Sequence, residues 1–138
     1  MKQIKYTEGY KYQLEESYTH QIPNITLDEG VRFEETSLGT DGLLIIKAGF
    51  AWDGPSGPTA DTPDSMRGSL VHDALYRLMS EGLLSTDFRD EADDVFYAIL
   101  REDGMNRIRA KLWYYAVKNF AEDHADPVKG KREVLTAP

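Results

Sequence analysis

The residues whose types and spacing suggest chemistry fall between Phe50 and Asp94. His72 and Asp73 are neighbours, Tyr76 follows His72 by four positions, and Arg89 precedes Asp93 by four. An imidazole exchanges protons near neutral pH. A carboxylate on its second nitrogen fixes the tautomer and stabilises the imidazolium, as a general base requires. His72 and Asp93 are the candidates for those two roles, with Tyr76 and Arg89 in support. Asp73 has a different partner in view. Calcium takes about six to eight oxygen ligands, commonly carboxylates and backbone carbonyls in irregular geometry. The loop Phe50-Ala51-Trp52-Asp53-Gly54-Pro55-Ser56-Gly57-Pro58 could supply carbonyls around Gly54 and Gly57, Asp53 a carboxylate, and Asp73 the anchor. A cation there would polarise an acyl carbonyl while His72 deprotonates water.

Positioning these groups requires a loop and a pair of helices. Thr62-Pro63-Asp64 predicts a helix start, with Thr62 as N-cap and Pro63 in the first position. Met66, Leu70, Val71, Ala74, Leu75 and Leu78 then recur at three- and four-residue spacing until Gly82 stops the helix. Ser85 or Thr86 caps a second helix, with Phe88, Ala92, Val95, Phe96, Ile99 and Leu100 as its stripe and Asp103-Gly104 as its end. A link of about four residues makes the two antiparallel, which sets Asp93 opposite His72. Side chains of adjacent helical residues diverge by about 100°, so His72 and Asp73 face one cavity without pairing. Ser69 and Tyr76 share the face of His72. A third helix, from about 106 to 122, is expected to bury Ile108, Leu112, Tyr115, Ala116 and Phe120.

Upstream the period changes to two. Tyr6, Tyr10, Tyr12, Leu14, Tyr18, His20 and Ile22 fall on alternate positions, and Val31–Glu35 alternates again. Asp41-Gly42 marks a hairpin turn, and Leu43–Lys47, the most apolar run, is the expected central strand. The reading is an α+β fold within one domain spanning 1–138. A small N-terminal antiparallel β-sheet (1–49) and the Gly/Pro loop (50–61) precede a three-helix C-terminal unit with an antiparallel helix pair (62–123). A polar tail (124–138) follows.

Composition excludes several functions. A phosphate backbone demands clustered Lys/Arg, and here acids outnumber bases 24 to 16, a formal charge of −8, so nucleic acid is not the expected partner. A cation is the better charged partner. With no cysteine there is neither a disulfide framework nor a thiolate site. No window approaches a transmembrane segment, and the N-terminus lacks the apolar core of a signal peptide. The expectation is a soluble protein made in the cytoplasm.

Three ordered motifs carry a resemblance. Gly49-Phe50-x-x-Asp53-Gly54-x-Ser56-x-Pro58, then His72-Asp73-x-Leu75-Tyr76, then Arg89-x-x-Ala92-Asp93-x-x-Phe96 resemble the phage and prophage family called domain of unknown function thirteen fifty-three, over roughly residues 43 to 120. That resemblance implies a phage-encoded accessory or virion-associated protein and no settled activity. A looser resemblance is to secreted phospholipases A2, which place a His-Asp-x-x-Tyr motif on a helix after a Gly-rich calcium loop and hold the His with an Asp on the antiparallel helix. It implies His72 as base, Asp93 as its orienting carboxylate, Tyr76 as a supporting donor, and Asp73 with the loop at Asp53-Gly54 as calcium ligands. A lipid or other acyl ester would be the substrate. The chain departs from those enzymes in having no cysteine and no Cys-Gly-x-Gly-Gly loop.

Bland readings stand beside these. The His72–Asp93 pair can be a buried network stapling two helices, worth roughly 1–3 kcal/mol, in a non-enzymatic virion or host-interaction protein. Cell-wall hydrolysis around a transition metal is a third possibility, short of ligands because His72 is alone at the centre of the cluster. The loop can be a rigid turn that packs Trp52 as a core anchor. Arg89 reads as structural in either case, pairing with Asp93 or Asp73. Asp87, Asp90, Glu91 and Asp94 read as a solvated face, His20 and His124 as surface or strand residues, and the early tyrosines as ordinary sheet packing.

Overall fold

The computed structural model describes residues 3–7, 12–53 and 62–125, with side chains to residue 119. Among them, the period-two stretches form short strands: β1 (Tyr6–Thr7), β2 (Tyr12–Leu14), β3 (Tyr18–Gln21), β4 (Val31–Phe33), β5 (Thr36–Leu38), β6 (Leu43–Ile46) and β7 (Ala51–Trp52). Three helices follow: α1 (Pro63–Ser80), α2 (Arg89–Glu102) and α3 (Arg107–Ala125). The fold is α+β.

The strands make two small antiparallel sheets, β1-β2-β7 and β3-β6-β5-β4. The division has a local cause. The chain bends at Glu15-Glu16 between β2 and β3, and again before β7 at Gly49, whose φ of +99° suits glycine. β6 is interior, flanked by β3 and β5, as its apolar content predicts. In that sheet Tyr18 opposes Ile46, which opposes Thr36, and His20 opposes Leu44, which opposes Leu38. These six residues are buried, whereas Thr19 is exposed and Ser37 partly so. The period of two therefore sorts one face inward.

Two hairpins fix the register. Gly42, at φ +88°, closes the β5–β6 turn, and its N–H donates to the Gly39 carbonyl at 3.0 Å. A Cβ there would meet the Ile22 and Ile25 carbonyl oxygens at 2.7 and 2.8 Å, so only glycine fits. The second hairpin corrects the expected strand Val31–Glu35. β4 ends at Phe33, Glu34 takes φ +50°, and Phe33 pairs with Thr36. Neither turn residue is Gly, Asn or Asp, so the usual signal for a tight turn is missing there.

The helix boundaries follow their caps. Pro63 opens α1, the Thr62 N–H donates to Ser65 Oγ at 3.1 Å, and Gly82 at φ +76° lies just past the end. Ser85 accepts from the Asp87 N–H at 3.1 Å, starting a 3₁₀ turn (Thr86–Phe88) that runs into α2. Gly104, at φ +99°, follows the end of α2. The helices run antiparallel in succession. Tyr76 meets Asp93 while Arg67, nearer the start of α1, meets Glu102, and Tyr114 and Lys118 of α3 meet Asp94 and Asp90 of α2.

α1 is buried along most of its length, between the sheets and α2. Gly68 marks its close approach to α2, since a Cβ there would lie 3.2 Å from Phe96 Cδ1 and 3.4 Å from Leu100 Cδ2. The expected buried face of α3 is corrected. Ile108, Leu112 and Tyr115 are 78%, 55% and 55% exposed, Ala116 is intermediate, and the side chain of Phe120 lies outside the described residues. Ala110, Trp113 and Val117 face inward instead, against Phe96, Leu100 and Met105. Both stripes have helical spacing, and the one carrying the large indole is buried.

Candidate functional site

His72 and Tyr76 lie one turn apart on α1, and their rings stack with centroids 4.2 Å apart. Asp93, mid-way along α2, reaches between the helices. His72 Nε2 lies 2.7 Å from Asp93 Oδ1, and the Tyr76 hydroxyl donates to the same oxygen at 2.8 Å. Because a carboxylate only accepts, Nε2 carries the proton and Nδ1 of the neutral ring carries the lone pair. Phe96 closes another side of the imidazole, 5.1 Å from centroid to centroid. His72, Tyr76 and Asp93 are 4%, 6% and 2% exposed. Burial pushes the Tyr76 phenol well above the ordinary tyrosine value, and the Asp93 carboxylate adds to the rise. The nearby charge of Arg89 works against it. Tyr76 is thus held as a donor.

The other expected site residues are placed differently. Asp73 is partly buried on a neighbouring face of α1, Arg89 is partly buried at the start of α2, and Asp53 is exposed after β7. Gly54 and Gly57 lie outside the described residues. Among the described residues no three His, Asp or Glu side chains gather closely enough to hold a metal ion. Ser69 shares the face of His72 but is engaged elsewhere: it accepts from Trp52 Nε1 at 3.0 Å and donates to the Met66 carbonyl at 2.9 Å. That bond ties β7 to α1. Trp52 is 2% exposed and packs with Tyr6 and Tyr12, so the core-anchor reading of Trp52 holds.

A second buried polar network was not anticipated. Arg67, 2% exposed, donates from Nη2 to Asp103 Oδ1 at 2.8 Å and to Glu102 Oε1 at 2.6 Å, and from Nη1 to the Tyr18 hydroxyl at 2.6 Å. Tyr18 in turn lies 2.9 Å from His20 Nδ1. Burial would lower the Arg67 pKa, but Asp103, Tyr18 and Glu102 outweigh it and the guanidinium stays charged. The available signal was an arginine between Met66 and Leu70 in an apolar stripe. A cavity of about 520 Å³ adjoins this network, lined by Ile4, Tyr6, Thr62, Asp64, Arg67 and Asp103 among others. His72, Tyr76 and Asp93 do not line it.

The fold and site define a class: an α+β protein in which a His–Asp–Tyr constellation bridges two antiparallel helices. The chain belongs to the family described as Protein of unknown function (DUF1353), whose model matches residues 25–117. The match takes in β4 to β7, α1, α2 and the part of α3 that packs inward. No curated protein and no solved structure matches the chain.

Proposed function

We propose that the chain is a phage-associated hydrolase of acyl esters, phospholipids among them, with His72 as general base. The observation that carries this reading is the 2.7 Å contact of His72 Nε2 with Asp93, reinforced by Tyr76 on the same oxygen. It orients the ring, sets the tautomer and leaves Nδ1 as the basic atom. In the step this supports, Nδ1 takes a proton from water as the water oxygen bonds to the acyl carbon. The imidazolium, stabilised by Asp93, then gives that proton to the departing alkoxide as its bond to carbon breaks. A His held by an Asp of the antiparallel helix, with a supporting tyrosine, is what the phospholipase resemblance implies. Calcium held by Asp53, Asp73 and the loop containing Gly54 and Gly57 stays a separate part of the proposal, and the step above is not routed through it.

Burial of all three side chains favours a second reading, in which the constellation is a structural staple in a non-enzymatic accessory protein. The test compares wild type with His72→Asn and Asp93→Asn on a short-chain nitrophenyl ester and on phospholipid vesicles, with and without millimolar Ca²⁺. Turnover by the wild type that drops at least about a hundredfold in His72→Asn, while circular dichroism is unchanged, is the expected result. A folded wild type that turns over neither substrate, with or without Ca²⁺, overturns the hydrolase and leaves the staple. In parallel, Ca²⁺ should raise the melting temperature, and Asp73→Asn should remove that rise.

A further inference from the structure

Among the described residues, nothing packs on a second face of α3. Ile108, Leu112 and Tyr115 are 78%, 55% and 55% exposed, and Asn119 is exposed beyond them. Their spacing is four, three and four. At about 100° per residue these four side chains fall within an arc of roughly 60°. This is narrower than the apolar stripe of an ordinary surface helix and has the a/d spacing of a coiled-coil seam, with Asn119 on an a-type position. The occupant such a seam fits is another helix. Charge selects which kind. The chain carries a net −8, yet from Met105 to Asn119 it has Arg107, Arg109, Lys111 and Lys118 and no acid. Arg109 and Lys118 are paired with Asp64 and Asp90, at 3.1 and 3.0 Å. Lys111 stays exposed beside the seam with its ammonium 5.1 Å from the Tyr97 ring, and Arg107 is exposed on the same flank. Two copies of α3 laid antiparallel would set this basic flank against itself.

We propose that this face of α3 docks a helix of another protein whose apolar seam is flanked by acidic residues. Ile108, Leu112 and Tyr115 provide the contact, and Arg107 and Lys111 select the partner's charge. The face is independent of His72.

The probe is a fluorescein-labelled synthetic helix with valine and leucine at its seam positions and glutamate on both flanks. Its control has lysine in place of glutamate. Anisotropy titration with the full chain should show binding of the acidic helix at least tenfold tighter than of the basic one, weakening as salt is raised. Leu112→Ser combined with Tyr115→Ser should lower that affinity at least tenfold with an unchanged melting temperature, because both side chains are already exposed. Lys111→Glu should narrow the preference between the two helices. Equal binding of both helices, or affinity untouched by the double serine variant, overturns the proposal. So does a wild-type chain that sediments as a dimer and becomes a monomer in that variant, or one that ignores both helices while binding anionic phosphatidylglycerol vesicles.

Discussion

At Asp93 one carboxylate oxygen receives both the His72 and the Tyr76 hydrogen bond in a site closed to solvent. Removing either donor leaves a buried acceptor short of a partner, at a cost of about 1–3 kcal/mol. Tyr76 adds a signature in pH. Its phenol is held above its ordinary value, by burial first and then by Asp93, so the folded state keeps a proton that the unfolded chain releases near pH 10. Stability from this group is therefore complete below about pH 10 and declines as pH rises beyond it. Tyr76→Phe should lower stability at pH 7 by about 1–2 kcal/mol yet flatten the alkaline decline, as read by urea melts from pH 7 to 11. A variant that loses stability above pH 10 as steeply as wild type would refute the assignment. Much of this site was legible beforehand. The four-residue step from His72 to Tyr76 fixes a shared face, and a short link forces the antiparallel partner that brings Asp93 into reach. Arg67 was not legible, because nothing in a period says that a charged side chain inside an apolar stripe will find acids on a neighbouring helix.

The helices were readable because their caps are local chemistry: Thr62-Pro63, Ser85, and the positive-φ glycines Gly82 and Gly104. What spacing could not decide was which of two candidate faces α3 would bury, since that depends on whether Trp113 or Leu112 fits the groove of α2. Nor could it show the β4–β5 reversal, where Glu34 adopts a left-handed conformation without a turn residue to announce it. Gly68 belongs to this scale. Inside a helix, Gly→Ala ordinarily stabilises by about 0.5–1 kcal/mol. Here the new methyl would press on Phe96 and Leu100, 1% and 0% exposed, which have little room to give. Overpacking costs about 1–3 kcal/mol, so Gly68→Ala should destabilise by about 1 kcal/mol net. A chemical melt checks the sign, and a stabilised variant would mean that α1 and α2 can separate by a few tenths of an ångström without loss.

For the molecule as a whole, the question is what makes two thin sheets and three helices one cooperative unit. Apolar packing is the larger part, because the buried residues of β3, β5 and β6 share one core with those of α1. Arg67 adds specificity. From α1 it reaches the sheet at Tyr18, the last turn of α2 at Glu102 and the residue after it at Asp103. Truncating one member of such a buried network strands the others, typically costing about 3–5 kcal/mol. Lysine restores the charge but not the planar fork that holds Asp103, Glu102 and Tyr18 together. Arg67→Ala should therefore lose about 3 kcal/mol or more, and Arg67→Lys should recover less than half of it. Cooperativity is the sharper readout. Amide hydrogen exchange followed through a urea melt reports strands and helices separately. The two melts should coincide in wild type and separate in Arg67→Ala, with the strand amides losing protection first, because the strands lose their polar tie while the helices keep Phe96, Leu100 and Trp113 in contact. Coincident melts in that variant would show that the apolar core alone couples the sheets to the helices, and would reduce Arg67 to a local ion pair.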